Sequence, residues 1–135
     1  MGYDRVEPMR MTLAIVDDDD DVRTALARLL GSLGHDVKLF ASAEAFEAET
    51  VIVDCLIADV RLPGLSGLEL LERLRNRATP TPVVLITGDS DRVAGDIPQA
   101  ADTPSVTKPF DDVELMAAIA DAIAFENARS HSHAH

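Results

Sequence analysis

The stretch Cys55-Leu56-Ile57-Ala58-Asp59-Val60-Arg61-Leu62-Pro63-Gly64-Leu65-Ser66-Gly67 is an apolar run that stops at one carboxylate and breaks into a turn. Leu56 and Ile57 read as a short strand buried on both faces, as in a parallel sheet, and Pro63-Gly64 supplies the turn residues that end it. Asp59 then sits at the carboxyl end of a central strand. In open α/β sheets that edge carries the ligand crevice, because the loops leaving the strands there form its walls. A strand-end aspartate also serves simply to cap a turn, so the weight of this reading falls on what the other strands end in.

Toward the N terminus, Thr12 to Val16 is another compact apolar strand, and it runs straight into five carboxylates, Asp17 to Asp21. From Val22 the period changes: Val22, Ala25, Leu26, Leu29, Leu30 and Leu33 recur at helical spacing, and Gly34 suits the left-handed residue that closes the helix. The acidic start complements the helix dipole. A strand over Asp36 to Phe40 follows, then Ser42 caps a short helix through Phe46, while Glu49 to Asp54 is ambiguous.

Toward the C terminus, Ser66-Gly67-Leu68-Glu69 matches a capping box, and Leu68, Leu71 and Leu74 supply the buried face of a third helix. Pro82 to Thr87 reads as the fourth strand, ending in Thr87-Gly88 much as the third ends in Asp59. Ser105 to Lys108 is a short β-branched fifth strand followed by Pro109, and Asp111-Asp112-Val113-Glu114 opens a last helix with Leu115, Met116, Ile119 and Ile123 on one face. Between these strands, Gly95, Pro98 and Pro104 interrupt Asp89 to Pro104, so the sequence predicts an irregular or only briefly helical segment there. Five strands alternating with helical segments imply a doubly wound α/β fold, a parallel sheet covered on both sides.

The 135 residues suit one domain. The expected division is a flexible segment at 1–10, a folded domain over 11–124 and a flexible tail at 125–135, where Ser130-His131-Ser132-His133-Ala134-His135 alternates histidine with small residues. Twelve basic against 24 acidic residues give a net charge of -12, which argues against nucleic acid and against anionic membrane surfaces as partners. Apolar runs are too short to span a bilayer, Met1 to Arg10 lacks the apolar core of a signal peptide, and Val6 breaks the myristoylation pattern. The expectation is a cytoplasmic protein. Cys55 is the single cysteine, so an internal disulfide is excluded, and its apolar strand makes it a packing residue.

Four of the five strands thus end in functional side chains: Asp17 and Asp18, Asp59, Thr87 and Lys108. In a parallel sheet all of them converge on one edge. Carboxylates within about 5 Å of one another repel by roughly 3 kcal/mol per pair at an effective dielectric near 20, so the cluster calls for a cation or for protons. Clustered oxygen ligands that retain water favour Mg²⁺. Lys108 adds a fixed positive charge and Thr87 a hydroxyl donor, a set suited to a phosphoryl group on Asp59, whose transfer depends on positioning and charge neutralisation.

Val16-Asp17-Asp18, Ala58-Asp59 with Pro63-Gly64 following, Thr87-Gly88 and Lys108-Pro109-Phe110 together resemble the response-regulator receiver domain of bacterial two-component signalling, the CheY-like family. The likeness covers about residues 11 to 124, and its five spaced motifs are specific as a set. It implies a flavodoxin-like sheet of order 2-1-3-4-5, with an atypical or missing fourth helix in this chain. It also implies that a histidine kinase or phosphotransfer protein passes a phosphoryl group to Asp59, with an unknown output protein downstream. Asp18 and Asp59 would bind Mg²⁺ directly with the Arg61 backbone carbonyl, Asp17 would help through water, and the Lys108-Pro109 peptide would be cis. In such receivers the residues two positions beyond the phosphorylated Asp and the Thr, here Arg61 and Asp89, flank the approach of hydrolytic water, and Gly88 leaves room for the phosphoryl group. Where receivers place an aromatic switch residue, three positions before the lysine, this chain has Ser105.

Other readings of the acidic motifs fail on single residues. A calcium loop starting at Asp17 needs Gly where Val22 stands and Glu where Arg28 stands. A phosphohydrolase resembling the haloacid dehalogenases expects a second Asp two positions after the nucleophile, where Arg61 stands. A purely structural interaction module has no need of the acidic pair, Thr87 and Lys108, all of which are present. The sequence ends soon after the last helix, so a stand-alone receiver acting through a protein partner or as a phosphorelay intermediate is the expectation.

Overall fold

The computed structural model describes residues 10–77, 80–88 and 103–132. Five strands, β1 (Thr12–Val16), β2 (Asp36–Phe40), β3 (Cys55–Asp59), β4 (Val83–Thr87) and β5 (Ser105–Thr107), form one parallel sheet of order β2-β1-β3-β4-β5. Four helices accompany them among the described residues: α1 (Asp20–Ser32), α2 (Ala43–Glu49), α3 (Gly67–Arg75) and α4 (Asp112–Ser132). Every residue of β3 and β4 is buried, which explains why these strands read as unbroken apolar runs.

Side-chain alternation splits the core into two layers. Ala14, Val16, Leu56, Ala58, Val83 and Leu85 meet Phe46 of α2 and Leu70, Leu71 and Leu74 of α3. Leu13, Ile15, Cys55, Ile57, Val84 and Ile86 meet Leu26 and Leu30 of α1 and Leu115 and Ile119 of α4 on the other face. Each large aliphatic side chain removed from water in this way contributes about 1.5–3 kcal/mol. The helix ends follow the sequence signals. Asp19 caps α1, Ser42 caps α2, Gly34 takes φ 96°, and the Ser66–Glu69 capping box forms in full. The same reciprocal pairing joins Asp111 and Glu114 at the start of α4.

Three expectations need amendment or fall outside the described residues. The last helix does not stop at 124 but continues through Ser132, because no Gly or Pro occurs between Asp112 and Ser132 to end it; the expected tail is therefore helical over 125–132. At the other end, Arg10 is tied to Asp36 of β2 by two hydrogen bonds of 2.7 and 3.1 Å, while residues 1–9 lie outside the described set. The irregular segment expected from Asp89 to Pro104 falls outside it for 89–102. The ambiguous stretch after Glu49 resolves into a left-handed Thr50 that ends α2 and a connection into β3.

Candidate functional site

The chain order puts β2 on one side of β1 and β3 on the other, so the connections leaving β1 and β3 diverge over opposite faces and open a crevice at their carboxyl ends. Val16 pairs with Ala58 across that switch point, which brings the residues just beyond them, Asp17 and Asp59, side by side. Asp17, Asp18 and Asp59 each offer a carboxylate oxygen within 4.8 Å of the others. The acidic run, uniform in sequence, divides its work. Asp17 is fully buried, Asp18 is exposed, Asp19 caps α1 and Asp20 pairs with Arg23.

Asp59 is 9% exposed, and both its oxygens are engaged. Oδ1 accepts the Arg61 N–H at 2.9 Å, and Oδ2 lies 3.4 Å from Lys108 Nζ, which reaches it from the end of β5. The Lys108-Pro109 peptide is cis, as the resemblance implied. Asp17 Oδ1 accepts the Asp19 N–H at 2.9 Å, but its Oδ2 is buried with no hydrogen-bond partner. Burial pushes the Asp17 carboxyl up to about 6, and the Asp59 charge acts in the same direction against the Asp19 amide and Lys108. An orphaned buried acceptor beside two more carboxylates is the donor set of a hard cation, so the acidic pocket is compatible with metal binding.

Thr87 is fully buried at the end of β4. Its hydroxyl lies 3.2 Å from Thr107 Oγ1 and 3.4 Å from the Val106 carbonyl oxygen, both on β5. Ser105 begins β5 and is partly buried. Gly88 follows directly on β4, and Asp89 lies outside the described residues. Cys55 is buried in the sheet, and burial pushes its thiol up to about 12, consistent with a packing role.

Three residues that hold the site escaped the sequence reading. A Cβ on Gly67 would lie 2.2 Å from the Asp59 carbonyl oxygen, so only glycine lets the first turn of α3 close onto the carboxyl end of β3. Glu44 of α2 accepts the Leu65 N–H at 3.1 Å and lies against Gly64, whose φ of 76° sets the turn after Asp59. The Leu65 amide holds the Glu44 carboxyl below its ordinary range. Arg23 donates to the Asp17 carbonyl oxygen from α1. Tertiary approach decides all three; Gly67 alone carried a local hint, as an unusual opening residue for a helix.

Four strand ends thus deliver carboxylates, a hydroxyl and a lysine to one edge of a doubly wound sheet, which defines a phosphoacceptor module. The profile of the response regulator receiver domain family matches residues 13–120, and the chain belongs to that family. It is 40% identical over 120 residues to the transcriptional regulatory protein FixJ of Azorhizobium caulinodans, covering 83% of this chain and 54% of that protein. The response regulator protein TmoT of Ectopseudomonas mendocina is 35% identical over 131 residues, covering 91% of this chain and 57% of its own. The chain therefore spans about half the length of these curated relatives. Full-length FixJ from B. japonicum superposes with a TM-score of 0.76 at 34% identity, covering 93% of this chain and 63% of that one. CheY4 of Vibrio cholerae, at 22% identity and a TM-score of 0.70 over 84% of this chain and 99% of its own, shares the fold. The expected sheet order of 2-1-3-4-5 is the observed one, and the chain is a receiver domain with a phosphoacceptor role in two-component signalling. No helix among the described residues is long and apolar enough to cross a membrane.

Proposed function

We propose that Asp59 is the phosphorylated residue, taking its phosphoryl group from a phosphohistidine on a histidine kinase or phosphotransfer protein in the cytoplasm. The observation that carries this reading is the Asp59 carboxylate itself: oriented by the Arg61 amide, 3.4 Å from the Lys108 ammonium, and within 4.8 Å of two further carboxylates at the open edge of the sheet. The N–P bond of the donor breaks as an Asp59 oxygen–phosphorus bond forms, and the imidazole nitrogen leaves with the electron pair. Lys108 balances charge that gathers on the phosphoryl oxygens, and Gly88 leaves them space.

Asp17, Asp18, Asp59 and the Arg61 carbonyl are the residues that would hold Mg²⁺, whose chemistry there is to neutralise the anionic oxygens it brings together. The orphaned Oδ2 makes Asp17 a stronger candidate for direct contact than a role through water suggests. The protein acts as a signalling phosphoacceptor that assists its own phosphotransfer and autodephosphorylation. A net charge of -12 supports signalling through a protein partner or a phosphorelay over direct contact with nucleic acid or membrane. The test is labelling by a small phosphodonor or phosphohistidine protein, read by intact mass. Wild type gains one phosphoryl group and Asp59→Asn none; full labelling of that variant overturns the assignment.

A further inference from the structure

We propose that Glu44 is a positioning residue for phosphotransfer: from α2 it fixes the turn after β3, and with it the Arg61 amide that aims the Asp59 carboxylate. This deepens the reading of Asp59 as phosphoacceptor and rests on it. The loop from Val60 to Ser66 is tied down at its start and at its end. The Val60 N–H donates to the Ile86 carbonyl oxygen at 3.0 Å, the Arg61 N–H to Asp59 Oδ1 at 2.9 Å, and the Gly67 N–H to the Val60 carbonyl oxygen at 3.2 Å. The Ser66 N–H donates to Glu69 in the capping box. Between Arg61 and Ser66 lies Gly64 at φ 76°, the residue type with the most backbone freedom to lose. The next amide, that of Leu65, donates to Glu44 Oε2 at 3.1 Å. Among these acceptors Glu44 is the one side chain that belongs to neither β3 nor α3.

The packing of α2 accounts for this reach. Ala43 and Phe46 are buried in the core, and the residues one step further along, Glu44 and Glu47, lie one turn apart on the same flank. Glu47 takes the far end of α3, with Oε1 2.8 Å from Arg73 Nη1 and Oε2 3.9 Å from Arg77 Nη2. The two carboxylates thus grip opposite ends of α3, and of the two Glu44 bonds to the loop that carries Arg61. A charged acceptor holds an amide more firmly than a carbonyl does, and the Leu65 amide in turn favours the charged form of Glu44. Gly64 leaves room for the carboxylate, because a Cβ there would lie 2.7 Å from Oε2. Leu62 and Leu65 are seated in the core, so without Glu44 the loop stays attached and loses its aim rather than its fold.

Glu44→Ala removes the acceptor, Glu44→Gln keeps an oxygen for the Leu65 amide, and Glu47→Ala removes the other grip. The measured quantities are hydrogen exchange of the Leu65 amide and the NMR shift of the Arg61 amide, both in the metal-free protein, and the rate of labelling by acetyl phosphate with Mg²⁺, read by intact mass. Loss of one hydrogen bond from the loop corresponds to about three- to tenfold, so Glu44→Ala is expected to speed Leu65 exchange and slow labelling by that factor, with the Arg61 amide shifted. Glu44→Gln returns all three most of the way to wild type. Glu47→Ala leaves all three at wild type even where it lowers the urea midpoint. Wild-type Leu65 exchange and Arg61 shift in Glu44→Ala, or labelling at the wild-type rate, overturn the proposal. Equal slowing in Glu47→Ala overturns it too, because that result marks a general loosening of α2. If wild type is not labelled, the Asp59 reading falls, and Leu65 exchange with the Arg61 shift still decides whether Glu44 sets the loop.

Discussion

The two ends of the sheet solve opposite problems. At the carboxyl ends of the strands three carboxylates crowd together, and one of them, Asp17, is fully buried with an oxygen that has no partner. At the amino ends most of the polar groups are matched, although Arg75 Nε is also buried without a hydrogen-bond partner. Arg10 pairs with Asp36, Asp54 accepts the Thr12 N–H at 2.7 Å, and His35 accepts the Met11 N–H at 3.1 Å. On that same side Arg75 of α3 donates to Thr103 and lies over the Phe125 ring, fastening α3 to α4. One end therefore stabilises the fold, and the other keeps a charge arrangement that folding alone disfavours. The sheet between them, with β3 and β4 buried throughout, is what holds the disfavoured end in place.

The sharpest way to break this contrast is to disturb the packing that links the strained end to the sheet. Gly67→Ala places a methyl 2.2 Å from the Asp59 carbonyl oxygen, a backbone atom with no rotamer to yield. Overpacking of that kind costs about 2–3 kcal/mol, so urea unfolding should shift by that amount and phosphodonor labelling of Asp59 should fall with it. Stability and labelling that both match wild type would mean that α3 is free to withdraw.

The second change separates stability from function. The Asp17 carboxyl is raised to about 6 in the fold from an ordinary 3.8, so the folded state disfavours its charge. That penalty is absent below pH 3.8, grows as pH rises toward 6 and is complete at neutral pH. Asp17→Asn should thus stabilise the metal-free protein at pH 7 by about 1–2 kcal/mol, allowing for solvent at the mouth of the site, while weakening Mg²⁺ binding. In a chelator, wild type should gain stability between pH 7 and 5 and the variant should not. The opposite end should behave in reverse: Asp54→Ala removes one hydrogen bond, costs about 0.5–1 kcal/mol, and leaves labelling unchanged. A labelling defect in Asp54→Ala would show that the two ends are coupled.

What was legible in the sequence divides along the same line. Strands whose ends carry Asp17, Asp59, Thr87 and Lys108 could be aligned on one edge because alternation with helices forces a parallel sheet, and parallel strands share an edge. Capping residues such as Ser42, Ser66 and Asp111 act within three residues of themselves, so they too could be read directly. Gly67, Glu44 and Thr107 act on chain remote in sequence, and no periodicity marks them. Leu70 was missed because α3 buries Gly67, Leu70, Leu71 and Leu74, a wider stripe than the Leu68, Leu71 and Leu74 spacing suggests. The length of α4 was misjudged for the converse reason: histidine-rich composition suggested a tail, while the absence of Gly and Pro was the stronger signal.

The smallest expected effect concerns how long a phosphoryl group lasts at the disfavoured end. Hydrolysis needs water in line with the phosphorus, and on the proposed reading of Asp59 the loop that follows it is where a side chain could hinder that approach. Arg61 is exposed there, its amide fixed to Asp59 Oδ1, and it lines an open cleft of about 490 Å³ with Leu62, Pro63 and Ser66. Its backbone amide is thus placed by Asp59 while the residue is exposed, and removing the side chain tests whether it shields a phosphoryl group from solvent. Exposed charges contribute only about 0–1 kcal/mol, so the barrier can change by no more than several-fold in rate. Arg61→Ala should therefore speed autodephosphorylation by up to about fivefold. It should leave labelling complete, because the amide that orients Asp59 is kept. The measurement is the decay half-life of the phosphorylated protein at one Mg²⁺ concentration, at low and at high salt. Screening reduces a charge effect at high salt and leaves a steric one unchanged, so the salt comparison identifies which property of Arg61 slows the water. Decay that is unchanged or slower in Arg61→Ala at both salt concentrations would show that this side chain does not shield the phosphate.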